Sequence, residues 1–189
     1  KYNKSKSNIK KEFFKKKEFL KGRQLKKPIL NDLLESGIIK GNAIGNSSVI
    51  VRKKILIKIG GISENINLVG SEDYNTWLRI AQITNQFKYL KKNLGYILIH
   101  DNNTSKKDMS VSQRQAVINF MNLLNSQQKK NLEVKLRYMS GNYDYLKRNH
   151  NNAIKNFLFV LRNGQLHLRL RSLLKIILII FKTARFKRL

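Results

Sequence analysis

The chain has 189 residues, with 39 Lys and Arg against 11 Asp and Glu and a formal net charge of +28. Its 41% hydrophobic and 26% charged residues suffice for a buried core and exclude wholesale disorder. With no Cys it has neither a disulfide framework nor a thiolate metal site. The charge points to a polyanionic partner (nucleic acid, anionic lipid or a phosphorylated substrate), or to compositional drift, since Lys, Asn and Ile are all abundant. It lies along the whole chain rather than on one motif. The first residue is Lys1 rather than Met, and the expectation is a part of a longer protein.

Residues 1–27 are a basic lead-in, dominated by Lys with Phe13, Phe14, Phe19 and Leu20 between. Pro28, the only proline, punctuates the chain before ILNDLLESG, a short helix ending at Gly37. In KGNAIGNSSVIVRKKILIKIGG, Gly41 and Gly45 are turn residues and Ser47–Val51 reads as a buried strand. Arg52–Ile59 reads as a short helix with Ile55, Leu56 and Ile59 on one face, stopped by Gly60 and Gly61, which permit positive φ and close backbone approach. Ser71 is a credible N-cap for the next helix. Tyr74, Trp77, Leu78 and Ala81 then recur at i, i+3, i+4 and i+7, a core-facing stripe. FKYL (87–90) and GYILIH (95–100) read as two short strands, and 101–110 as a polar loop.

From Val111 the pattern is helical. Val117, Phe120, Met121 and Leu124 make one face, and Leu132, Leu136 and Met139 another. Gly141-Asn142 is expected to turn the chain. Ala153, Ile154, Phe157, Leu158 and Leu161 make a third helix ending at Asn163-Gly164. The result looks like a helical hairpin of the tetratricopeptide kind, but one pair is not a repeat array. In the last segment the apolar stretch Leu173–Phe181 carries Lys175, has basic flanks, and is too short to span a bilayer, which takes about 20 apolar residues. An interfacial helix on anionic lipid and a helix docked on the preceding hairpin both fit.

Glu72 and Asp73, in GSEDYNTWLRI, are the chain's one pair of adjacent carboxylates. Acids in the first turn complement the helix dipole, worth about 0.3–1 kcal/mol each. The other reading makes one of them a general base whose pKa the dipole depresses, so that it is ionised at neutral pH.

Ser47, Ser48, Val49, Arg52, Lys53, Gly60, Gly61, Glu64, Glu72, Asp73, Tyr74, Trp77, Leu78 and Arg79 occur in an order that resembles the C-terminal half of the catalytic domain of family 2 glycosyltransferases, which have the GT-A fold. LGYILIHDNNTS resembles that family's next element. The resemblance covers roughly Ile29 to Ser105. Ile62 replaces the usual Phe after the glycines, and Leu98 stands where the family often has Arg. The resemblance implies an α/β fold, a partial GT-A, Rossmann-like half over 28–110, followed by an all-α tail over 111–189 with a basic amphipathic terminal helix. It implies Asp73 as the catalytic base, Glu72 positioning acceptor or base, Gly60 and Gly61 letting backbone approach the substrates, and His100 as ligand of a divalent metal, Mg²⁺ or Mn²⁺.

The implied reaction is inverting transfer from a nucleotide-sugar donor to a glycan or lipid-linked acceptor. It would take place in the cytoplasm, with the basic surface holding the enzyme peripherally on the cytoplasmic face of the inner membrane. No Asp-x-Asp occurs before Ser47, so the resemblance implies the acceptor-side half of an enzyme, inactive by itself. The alternative class is a non-enzymatic basic helical binding module for nucleic acid or protein partners. No RNA-clamp motif supports selective nucleic-acid binding, and none is expected.

Overall fold

The computed structural model describes residues 17–19, 24–92, 96–98 and 107–186, with side chains over 24–92 and 107–181. The architecture is helical. It comprises α1 (Ile29–Ile39), α2 (Lys53–Lys58), α3 (Glu72–Ile83), α4 (Ser110–Val117), α5 (Ser126–Leu146), α6 (His150–Asn163) and α7 (Leu166–Phe186), with 3-10 turns at Asn46–Ser48, Ile66–Leu68 and Ile118–Leu123. Among the described residues the one β pairing is a three-residue antiparallel ladder between β1 (Lys17–Phe19) and β2 (Tyr96–Leu98). Lys17 pairs with Leu98, and Phe19 with Tyr96.

This corrects the α/β expectation. A Rossmann-like half is a parallel sheet whose strands are joined by helical crossovers, and the described residues contain no parallel pair. Ser47–Val51, expected to be a buried strand, is instead the end of a 3-10 turn followed by irregular chain, with Ile50 wholly exposed. Phe87–Leu90 is irregular too. The physical reason is that β-branched and aromatic residues favour a pleated, half-buried surface only where a neighbouring strand bonds their backbone, and no described strand reaches either segment. Of GYILIH, Tyr96–Leu98 is a strand.

The helices share one main core. Leu33 and Leu34 of α1, Tyr74 and Leu78 of α3, Val117 of α4, Phe120 in the following turn, and Leu132 and Leu136 of α5 are all buried in it. The stripe Tyr74, Trp77, Leu78 and Ala81 faces inward as its period requires. Ile55 and Leu56 of α2, with Ile59 just after it, pack on the same core from outside. Tyr74 reaches across to α1, where its hydroxyl donates to Leu33 O at 3.1 Å. Lys135 of α5 donates to Gly37 O at the other end of α1. Burial lowers the Lys135 pKa to about 8.

α5 begins in a capping box: Asn125 Oδ1 accepts from Gln128 N at 2.8 Å, and Gln128 Oε1 accepts from Asn125 N at 2.9 Å. It runs straight through Gly141-Asn142, the expected turn, and the reversal comes at 147–149. Gly141 lies in the helix because Phe157 of α6 packs there; a Cβ would stand 2.9 Å from its ring. α6 carries Ala153 and Phe157 into a second, smaller core that Ile176 and Ile179 of α7 complete. The expected helical hairpin is therefore present, and the terminal helix docks on it by one face. No described helix is long and apolar enough to cross a membrane.

Candidate functional site

The carboxylate pair opens α3, and the chain enters it through Gly70, whose φ is +86°. Ser71 stands at the N-cap position but does not cap. It is buried, and its hydroxyl lies 3.1 Å from that of Ser112 on α4. The Glu72 carboxylate turns back instead, its Oε2 accepting from Gly70 N at 2.5 Å. That satisfies a backbone donor just ahead of the helix, where a negative charge also meets the positive end of the dipole. Thr76 Oγ1 donates to Glu72 O at 2.7 Å, closing the first turn from within.

Asp73 is held differently. Its Oδ1 accepts from Tyr74 N at 2.6 Å, and its Oδ2 accepts from Asn42 Nδ2 at 3.0 Å. Asn42 belongs to the loop after α1 and is itself fixed by Ile44 N, which donates to its Oδ1 at 3.1 Å. Trp77 Nε1 pins the same loop one turn further along α3, donating to Ile44 O at 3.2 Å. Burial pushes the Asp73 pKa above its ordinary value, and the neighbouring Glu72 charge adds to the rise; the hydrogen bonds from Tyr74 and Asn42 oppose it and do not win. The depression expected from the helix dipole is thus overturned by desolvation. A half-buried carboxylate with a raised pKa is a stronger base when ionised than an ordinary surface Asp.

Gly60 and Gly61 close α2 with φ of +75° and +78°. Gly61 N donates to Leu56 O at 2.8 Å, the long-range bond of a glycine C-cap. No heavy atom lies within 4 Å of where either Cβ would be, so the space beside this turn is open. Arg79 fixes the turn to α3: Nη1 donates to Ile59 O and Nη2 to Gly61 O, both at 2.8 Å. Six residues separate Arg79 from Asp73, about 9 Å along the helix axis. One helix therefore positions the carboxylate pair and anchors the glycine turn.

The motif match included Arg79 but gave it no task, and Asn42 was missed altogether. Arg79 had a legible signal, a guanidinium on a helix otherwise turned to the core. Asn42 had none, since the contact joins residues 31 positions apart.

His100, the expected metal ligand, lies outside the described residues. Among those described, no three His, Asp or Glu side chains converge as a metal site requires. Two cavities, of about 230 and 200 Å³, lie against α1 and α5, and neither is lined by Glu72 or Asp73.

The family described as Glycosyltransferase like family 2 matches residues 2–157. The chain belongs to that family. The match takes in α1 to α5 and the first half of α6, and leaves α7 outside it. No curated protein and no solved structure matches the chain. Membership makes the protein glycosyltransferase-like, a class that works on a sugar donor and an acceptor.

Proposed function

We propose that this chain carries the acceptor-side chemistry of an inverting glycosyltransferase, with Asp73 as its base. The observation that carries the reading is the state of Asp73: a half-buried carboxylate of raised pKa, oriented by Asn42, in a member of a glycosyltransferase family. In the proposed step the acceptor hydroxyl gives its proton to Asp73. The acceptor oxygen attacks the anomeric carbon of a nucleotide sugar from the face opposite the diphosphate. The new C–O bond forms as the bond to the leaving phosphate oxygen breaks, with its electron pair leaving on the nucleoside diphosphate. One displacement with one base and no covalent intermediate inverts the anomeric configuration.

Glu72 has a separate task in this proposal. Its tie to Gly70 N holds the entry to α3, so that Asp73 keeps its aim. The Gly60-Gly61 turn offers exposed backbone and open space for a sugar hydroxyl, and Arg79 keeps that turn in register. A divalent cation, Mg²⁺ or Mn²⁺, belongs to the proposal as the group that neutralises the donor diphosphate. His100 is its candidate ligand in this chain. The acceptor is proposed to be a glycan or a lipid-linked glycan at the cytoplasmic membrane face, in keeping with the basic surface.

The test is turnover of a panel of nucleotide sugars, with divalent metal, by the protein. Asp73→Asn keeps the shape and removes the base, and is expected to lower kcat by about 10² or more. Equal turnover by wild type and Asp73→Asn would remove Asp73 from the mechanism. The fate of the anomeric configuration in the product, read by NMR, tests inversion.

A further inference from the structure

α7 packs on α6 through a narrow strip of Ser172, Ile176 and Ile179, which are 0%, 9% and 1% exposed. At 3.6 residues per turn the opposite side of the helix is a continuous apolar stripe. Leu166 and Phe181 are each 70% exposed, and Leu170, Leu173, Leu174 and Ile180 between 44% and 59%. Apolar surface of that extent on one face of one helix marks an interaction site. The helix lies beyond the residues that the family model matches.

The charge around the stripe says what covers it. Residues 165–189 hold seven Lys and Arg and no Asp or Glu. Exposed Arg169 and Arg171 flank the stripe, while Lys175 is drawn to the hairpin side, its Nζ 4.2 Å from the Tyr145 ring centroid. Lys135, His167 and Arg171 line the 200 Å³ cavity at the start of the helix, with no carboxylate among its walls. A second copy of this chain would bring another +28 against these cations, and like charge opposes that contact. An apolar stripe, cationic flanks and too little length to span define a helix that lies in a membrane interface.

We propose that the outward face of α7 binds the surface of an anionic lipid bilayer, lying along it with its apolar stripe in the headgroup–acyl boundary. The proposal does not rest on the glycosyl-transfer reading, and its test does not read activity. The full chain is sedimented with vesicles of phosphatidylcholine alone and of phosphatidylcholine mixed with phosphatidylglycerol, at physiological salt. The comparison variants are Leu174→Ser/Phe181→Ser and, independently, Leu166→Ser/Leu170→Ser. All four positions are exposed, so the packing strip is intact in both, and circular dichroism checks the fold of each.

The expected result is binding to the anionic vesicles, at least about tenfold weaker binding to the neutral ones, and a loss of about tenfold or more in each variant. Unchanged binding by both variants would show that charge alone holds the protein, and the stripe would have no part in it. Equal affinity for neutral and anionic vesicles would overturn the anionic surface. Absence of vesicle binding, or a wild-type dimer by light scattering that the variants abolish, would give the stripe to a protein partner and end the proposal.

Discussion

Replacing Gly37 by Ala tests the joint between α1 and α3 that sets the aim of the carboxylate pair. Gly37 lies buried in the last turns of α1, and a Cβ built on it would stand 1.8 Å from the Tyr74 hydroxyl oxygen and 2.3 Å from Cζ of the same ring. The ring has nowhere to retreat, being 1% exposed and bonded through its hydroxyl to Leu33 O. Overpacking a core site costs about 1–3 kcal/mol. Losing the buried Tyr74 hydrogen bond adds about 1–3 kcal/mol. Against this, Ala gains about 1 kcal/mol over Gly in a helix interior. The net expectation is a loss of about 3 kcal/mol, a fall in urea midpoint of about 1.5 M at an m-value of about 2 kcal/mol/M.

Two other glycines calibrate the same assay. Gly141→Ala meets Phe157 only at 2.9 Å and is expected to cost about 1 kcal/mol. Gly60→Ala meets nothing but must hold φ at +75°, which costs about 1–2 kcal/mol. A loss in Gly37→Ala of less than about 1 kcal/mol, or no more than in Gly141→Ala, would refute the clash with Tyr74. Because Tyr74 N holds Asp73 Oδ1, the Gly37→Ala protein that remains folded should also lose activity.

Further outcomes follow from the same contacts. Asp73 has a folded-state pKa above its unfolded value, so ionising it opposes folding, and its share of stability is lost as pH rises through that window. The stability of wild type minus Asp73→Asn, from urea unfolding between pH 3 and 7, about the carboxylate range, should therefore fall as pH rises. A rise would mean that the helix dipole wins after all. Asn42→Ala removes a bond that favours the anion, so the acidic limb of the pH–rate profile should move to higher pH; an unmoved limb would separate Asn42 from the base. Arg79→Lys cannot hold both carbonyls in the same fork and should cost about 2 kcal/mol and raise KM more than it lowers kcat; an unaltered KM would detach the glycine turn from substrate binding. Lys135, with its folded pKa near 8, is charged at a cost below that value; stability should rise from about pH 8 to the unfolded value of 10.5, and Lys135→Met should abolish the rise.

What could be read from the sequence was what repeats locally. Tyr74, Trp77, Leu78 and Ala81 announce a buried face because the same period that spaces them also turns the helix, and Ala153, Phe157 and Leu161 do the same for α6. The glycine stop after α2 was legible because two consecutive residues without Cβ have one cheap use at a helix end. What failed depended on partners far along the chain. Val49-Ile50-Val51 carries strand chemistry but no described strand lies beside it, and Ile50 ends wholly exposed. Gly141 looks like a break until Phe157 is seen to occupy the space its missing Cβ leaves. Ser71 has the composition of a cap, yet Ser112 takes its hydroxyl and Glu72 answers the backbone.

The carboxylate pair is the sharpest case, since two residues adjacent in the sequence end in different environments. Glu72 behaves as an acid at a helix start should, tied to a backbone N–H beside the positive end of the dipole. Asp73, one residue on, is half-buried against the loop that Asn42 and Ile44 bring to α3, and burial raises the pKa that its position would lower. Two neighbours of the same chemistry on one helical turn are thus driven apart by environment alone. One carboxylate is used for the fold and the other is held at some cost to it. A group that folding would rather have neutral is the one to suspect of chemistry, and that is why the base assignment rests on Asp73 and not on Glu72.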